Sequence, residues 1–186
     1  MRLFKAFGVL MAILMVAGSL YAAQIVPKLS LYDTSGSIDG GSGAVDVDPG
    51  YGISVEYLTE AGDNIMVGGG IEYQVARAMT DSNPSSEFNF APVYLTGQYC
   101  FSPGESLNPF VVLNLGYNLI YDGNDTFKTN GDLEAGIYYA GGVGAVINEK
   151  IRVDLLYSSY AGKTGGSDTT YTKIGLDVGY VFDLGM

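Results

Sequence analysis

The stretch IGLDVGYVF, Ile174 to Phe182, sets an acid among large apolar residues near the end of the chain. Every second position gives Ile174, Leu176, Val178, Tyr180 and Phe182, while the positions between are Gly175, Asp177, Gly179 and Val181. Successive side chains of a strand point to opposite sides, so this two-residue period marks a strand with one apolar face and one small or polar face. Which face meets solvent, and what kind of solvent, decides the fold.

The alternation recurs upstream. Tyr51, Ile53, Val55 and Tyr57 oppose Gly52, Ser54 and Glu56; Ile65, Val67, Ile71 and Tyr73 oppose Met66, Gly68, Gly70, Glu72 and Gln74. Val93, Leu95, Tyr99 and Phe101 oppose Tyr94, Thr96, Gln98 and Cys100, and Val111, Leu113, Leu115, Tyr117, Leu119 and Tyr121 oppose Val112, Asn114, Gly116 and Asn118. Ile137, Tyr139, Val143, Ala145 and Ile147 oppose Tyr138, Ala140, Gly142 and Gly144; Ile151, Val153, Leu155 and Tyr157 oppose Arg152, Asp154, Leu156 and Ser158. With a first strand around Leu29 and Leu31 and the closing stretch, the count is eight. Connections at 60–64, 102–108 and 148–150 are short, and those at 34–50, 78–86, 122–131 and 161–170 are mostly longer and rich in Gly, Ser, Asp and Thr. Alternating short and long connections are the rhythm of an up-and-down meander, and an even strand number lets the last strand pair with the first. The expected fold is all-β: a closed eight-stranded antiparallel transmembrane β-barrel.

A soluble lipocalin-like barrel, with its apolar positions inside, is the competing architecture. In the membrane arrangement the face of Leu, Ile, Val and Tyr meets lipid. Glu56, Glu72, Arg152, Asp154 and Asp177 then line a narrow interior, where acids and bases must neutralise one another. Fifteen tyrosines, many at or near strand ends (Tyr51, Tyr57, Tyr99, Tyr121, Tyr157, Tyr180), suit aromatic girdles at two membrane interfaces and favour this arrangement.

The first residues point to export. Arg2 and Lys5 precede an apolar run from Phe7 to Val16, followed by small residues up to Ala23, the layout of a secretory signal peptide over residues 1–22. The run is short of the roughly 20 apolar residues a spanning helix needs. Residues 23–186 are then one barrel domain. Loss of the two basic residues takes the net charge from -11 to about -13, and so acidic a chain, with no basic patch, excludes nucleic acid as a partner. The single cysteine, Cys100, rules out an intramolecular disulfide.

Taken with the signal segment, APVYLTGQYCF (Ala91–Phe101), YYAGGVGAVI (Tyr138–Ile147) and the closing IGLDVGYVF resemble the small eight-stranded outer-membrane β-barrel family, which includes outer membrane protein A-like membrane domains and adhesin-like relatives. The resemblance spans the chain after the signal. It implies a bacterial outer-membrane location, contact with outer-membrane lipids, and insertion by the barrel-assembly machinery. Family members commonly end on an aromatic residue, whereas Phe182 lies four residues before Met186.

The chain has no histidine, so a Ser-His-Asp arrangement cannot be built, and outer-membrane enzymes that use one are excluded. No catalytic, cofactor-binding or metal residue is assigned. Gly142-Val143-Gly144 lacks the third glycine and following helix of a dinucleotide site. Asp39, Asp46 and Asp48, around GGSGAVDVD (Gly40–Asp48), read as a solvated acidic loop, and Cys100 fills interior space. By alternation the interior holds five acids (Glu56, Glu72, Glu134, Asp154, Asp177) and three bases (Lys28, Arg152, Lys173). A lumen network centred on Arg152, with Asp154 opposite Asp177, is the expected role of this set. Two functions remain: a porin-like narrow pore, or a scaffold whose long loops meet host or surface ligands, as in adhesion.

Overall fold

Alternating β-branched and aromatic residues build long strands because each side chain then packs on one face of a pleated sheet. The computed structural model describes residues 23–33, 36–40, 43–80, 86–125 and 133–184; the expected signal segment lies outside them. The strands are β1 (Ala23–Asp33), β2 (Gly36–Gly40), β3 (Gly43–Val47), β4 (Gly50–Gly62), β5 (Ile65–Gln74), β6 (Arg77–Ala78), β7 (Glu87–Cys100), β8 (Leu107–Gly123), β9 (Leu133–Ile147), β10 (Ile151–Thr164), β11 (Ser167–Tyr180) and β12 (Phe182–Asp183). Eight of them form the ring β1-β4-β5-β7-β8-β9-β10-β11, and β1 pairs antiparallel with β11 through Lys28 opposite Gly179 and Ser30 opposite Asp177. That pairing closes the barrel and removes both sheet edges.

The apolar face points outward. Ile53, Val55, Leu113, Leu115, Ile137, Val143 and Leu155 are exposed, whereas Glu56, Asn114, Tyr138 and Asp154 between them are buried. Leu113 leaves 66% of its surface uncovered while Asp154 leaves none, the reverse of a soluble barrel and the pattern that lipid as outer solvent demands. Tyr99 with Phe101 and Tyr180 with Phe182 pair their rings near the short turns, at 5.3 Å and 4.8 Å, while Tyr51 and Tyr73 stand exposed at the opposite end.

Three details depart from strict alternation. Ala91 pairs with Ile120 but Pro92 with Asn118, so Leu119 is an extra residue, a β-bulge. The bulge shifts the parity beyond it, and Tyr121, expected outside with the girdle, lies inside at 7% exposure. A second irregularity between Tyr160 and Gly162 in the β9–β10 pairing leaves Glu134, expected inside, exposed. The expected long loop at 161–170 is instead a hairpin. Thr164 pairs with Ser167 around Gly165 and Gly166, whose φ values of 58° and 82° suit a two-residue primed turn.

At the long-loop end the wall continues beyond β1, β4 and β5. There β2 replaces β1 beside β11, with Ile38 opposite Tyr171, and hairpins onto β3. From β3, Val47 bridges Met79, the Asp48 N–H donates to the Ala78 carbonyl at 3.0 Å, and β6 returns the pairing to β7. The long-loop end is therefore a platform of strands.

Candidate functional site

The interior is filled in layers set by strand parity. Beside the short turns Val26, Leu58 and Val181 form an apolar floor, adjoined by Cys100, Phe110, Val112 and Leu156. Above it lies the charge cluster.

Lys28 is its hub. The ammonium is 2.6 Å from Glu56 Oε1, 3.1 Å from Asp154 Oδ2 and 4.0 Å from Asp177 Oδ2. Arg152 Nε donates to both Asp154 oxygens, at 2.9 and 3.0 Å. Its Nη1 lies 3.5 Å from Glu56 Oε2, with the spacing of an ion pair but not the geometry of a hydrogen bond. Its guanidinium also sits over the Phe110 ring, 4.5 Å from the centroid. Asp154 does pair with Asp177 across β10 and β11. Two carboxylates so placed repel, and the Lys28 ammonium that faces both makes the arrangement tolerable.

The expected centre on Arg152 is corrected by this geometry. Arg152 serves Asp154 and Glu56, while Asp177 accepts from the Ser30 hydroxyl at 2.6 Å and faces Lys28. The reason is steric. Gly179 opposite Lys28 has no side chain, and a Cβ there would stand 2.7 Å from Lys28 Cγ. The lysine stem passes over this gap to reach β10.

Glu72 belongs to a separate tier. It accepts from Tyr160 Oη at 2.7 Å, Lys173 Nζ at 3.2 Å and Tyr138 Oη at 3.4 Å. Tyr94 joins the two tiers: its hydroxyl donates to Glu56 Oε1 at 2.9 Å and its ring lies 5.3 Å from that of Tyr138. Gly70 and Gly116 flank Tyr94, and a Cβ at either would stand 2.7 Å or less from its side chain. Here glycine is what lets a tyrosine lie across a narrow lumen.

The next layer is aromatic. Phe88, Phe90, Tyr121, Tyr138, Tyr160 and Tyr171 are buried together with Val47 of the outer hairpin. Phe90 stacks on Tyr121 at 4.4 Å and 7° between planes. The alternation places Tyr138 and Tyr94 inside, but the Phe88–Phe90 part of this layer was not anticipated from it. Nor was Arg77, 2% exposed, whose guanidinium occupies the space where Gly50 would carry a Cβ. The signal available was the odd-even pattern of Glu87-Phe88-Asn89-Phe90 just before Ala91.

The stretch expected as a solvated acidic loop is instead the β2–β3 hairpin: Asp46 on β3 and Asp48 just after it are exposed, and Asp48 accepts from the Thr80 hydroxyl at 2.9 Å; the Asp39 side chain lies outside the described residues. Cys100 is buried and free, and its sulfur accepts from Gln98 Nε2 at 3.1 Å.

A ring of eight strands with an apolar exterior, aromatic ends and a charged, filled interior defines a small transmembrane β-barrel of the outer-membrane type. The chain belongs to the outer membrane protein beta-barrel domain family, whose model matches residues 8–182, and its place is the bacterial outer membrane. Among solved structures it is similar to Ail, the attachment invasion locus protein of Yersinia pestis, with TM-score 0.52 and 13% identity over 87% of this chain and 99% of that one. Neisserial surface protein A is similar with TM-score 0.55 and 11% identity over 86% and 97%. OprG, an outer membrane protein of Pseudomonas aeruginosa, is similar with TM-score 0.50 and 14% identity over 87% and 97%. At these identities the likeness is one of fold. A search of curated proteins returned no match.

Proposed function

We propose that this protein is a non-enzymatic membrane scaffold that presents its outer hairpins and loops for adhesion or other surface interaction. In this reading residues 1–22 are a signal peptide removed on export. Residues 23–186 are the barrel, placed in outer-membrane lipid by the barrel-assembly machinery. The observation that carries the reading is the filled lumen. The Lys28–Glu56–Arg152 tier, the Glu72–Lys173 tier and the aromatic layer follow one another along the axis, and eight strands enclose little more than their own side chains. A conducting path has to pass all three. A rigid platform is also the usual carrier of recognition loops, and the structurally similar Yersinia protein is named for attachment and invasion.

The test uses cells displaying the full protein and cells displaying a version with 34–50, 78–86 and 122–131 shortened. Capture of host cells, or of a surface polymer, by the first and not the second supports the scaffold. Equal capture by both, or by neither, contradicts it.

A further inference from the structure

Breaks in strand pairing stand side by side near the outer end of the wall. Between β3 and β4 the strand is interrupted at Asp48 and Pro49, and Pro49 has no N–H to carry a ladder across. Between β5 and β6 it is interrupted at Val75 and Ala76, where β5 has already left β7: their ladder stops at Ile71 opposite Val93, and β6 resumes it at Arg77 opposite Phe88. Along β11, Asp33 of β1 faces Gly175 but Ser37 of β2 faces Thr172, a slip of one residue. Asp33 pairs with Gly50, and the Val75 N–H donates to the Tyr51 carbonyl at 3.2 Å, so these breaks are neighbours. A cavity of about 80 Å³ marks the slit beside β7, with Ala76, Phe88 and Asn89 in its lining.

Beyond the breaks, β2, β3 and β6 are bonded to one another. β2 pairs with β3 from Gly36 opposite Val47 to Gly40 opposite Gly43. The Asp48 N–H donates to the Ala78 carbonyl, the Thr80 N–H to the Asp46 carbonyl and the Thr80 hydroxyl to Asp48. The borders are lighter. Among the described residues the ladder to β11 runs from Ser37 to Asp39, and the ladder to β7 is Arg77 and Ala78, followed by the Met79 N–H on the Ser86 carbonyl. By contrast, β10 pairs with β11 without interruption from Ile151 to Thr164. The unit is seated by Val47, fully buried in the aromatic layer, and by Met79, partly buried against it. A unit bonded within itself, lightly bonded at its borders and interrupted at its base is where local opening is expected. We propose that β2, β3 and β6 form a flap that swings from the wall as one body, about 48–49 and 75–76, while the eight-stranded ring below stays closed. Opening withdraws Val47 and uncovers the layer of Phe88, Phe90 and Tyr171 to the outside. The proposal does not depend on what the outer end binds.

The experiment is native-state hydrogen exchange of the refolded barrel in zwitterionic micelles, read by NMR, with and without a disulfide between Ala78→Cys and Glu87→Cys. These two residues are direct cross-strand partners, a spacing that a disulfide bridges, and Cys100 is buried away from them. The Met79 amide, at the flap's border, is expected to exchange about tenfold faster than the amides of Val153 to Leu155 in the wall. It is also expected to exchange faster than the amides of Asp48 and Thr80, which are bonded inside the flap, and to slow when the disulfide forms. As a second readout, Val47→Cys is expected to react with a small maleimide while Leu58→Cys, on the apolar floor, does not. Exchange of Met79 at the rate of the wall, exchange unchanged by the disulfide, or a Val47→Cys thiol as inert as Leu58→Cys overturns the proposal.

Discussion

Lys28 reaches Asp154 across an intervening strand: β11 lies between β1 and β10, yet Lys28 Nζ stands 3.1 Å from Asp154 Oδ2, with bare Gly179 beneath the lysine stem. The contact ties three strands at the seam where the barrel closes. The cluster there sets three carboxylates, Glu56, Asp154 and Asp177, against two cations, Lys28 and Arg152.

Lys28→Met is therefore expected to destabilise the folded barrel by about 3 to 5 kcal/mol, because it strands buried acids without a partner. The double variant Lys28→Met with Glu56→Gln is expected to recover part of that loss, and urea unfolding in lipid vesicles measures both. Equal stability of Lys28→Met and the parent contradicts a desolvated cluster.

Glycines on the two faces of the wall, inward Gly142 and outward Gly97, give a contrast within one residue type. A Cβ at Gly142 would run into the Leu155 carbonyl oxygen on the neighbouring strand, whereas a Cβ at Gly97 meets nothing within 4 Å. Gly142→Ala is expected to impair refolding, and Gly97→Ala to stay within about 0.5 kcal/mol of the parent. The shift in gel mobility between unheated and boiled samples reports which barrels have formed.

Phe90 is buried between Tyr121, Tyr160 and Tyr171. Phe90→Ala removes the centre of the aromatic layer and is expected to cost about 3 to 5 kcal/mol, read from the same urea transition. A cost under about 1 kcal/mol would mean that the layer is loosely packed.

Much of this was legible as alternation, since parity alone places Asp177, Asp154, Arg152 and Glu56 on one face. What parity cannot show is an added residue. The bulge at Leu119 reverses the reading of Tyr121, and the irregularity near Tyr160 does the same for Glu134. The Gly165-Gly166 hairpin was readable from its glycine pair, but a polar, glycine-rich stretch reads equally as loop. The role of Lys28 depended on the closing register of β1 against β11, a contact between residues some 150 positions apart, for which local pattern carries no information. Arg77 sits just past the alternating run of β5 and so escaped the inward set.

Topology follows from the alternation of connections. In cells, Asp168→Cys beside the outer hairpin is expected to react with a membrane-impermeant maleimide, and Asp63→Cys in a short turn is not; Cys100 is buried and adds no background. Labelling of Asp63→Cys alone would invert the orientation.

The central claim is that side chains close this lumen, and single-channel recording in planar bilayers tests it most directly. The refolded parent is expected to be electrically silent, while Arg152→Ala, which leaves an acidic excess on the axis, is expected to show a small cation-preferring conductance. Steady ohmic steps from the parent would contradict the account and make the barrel a pore.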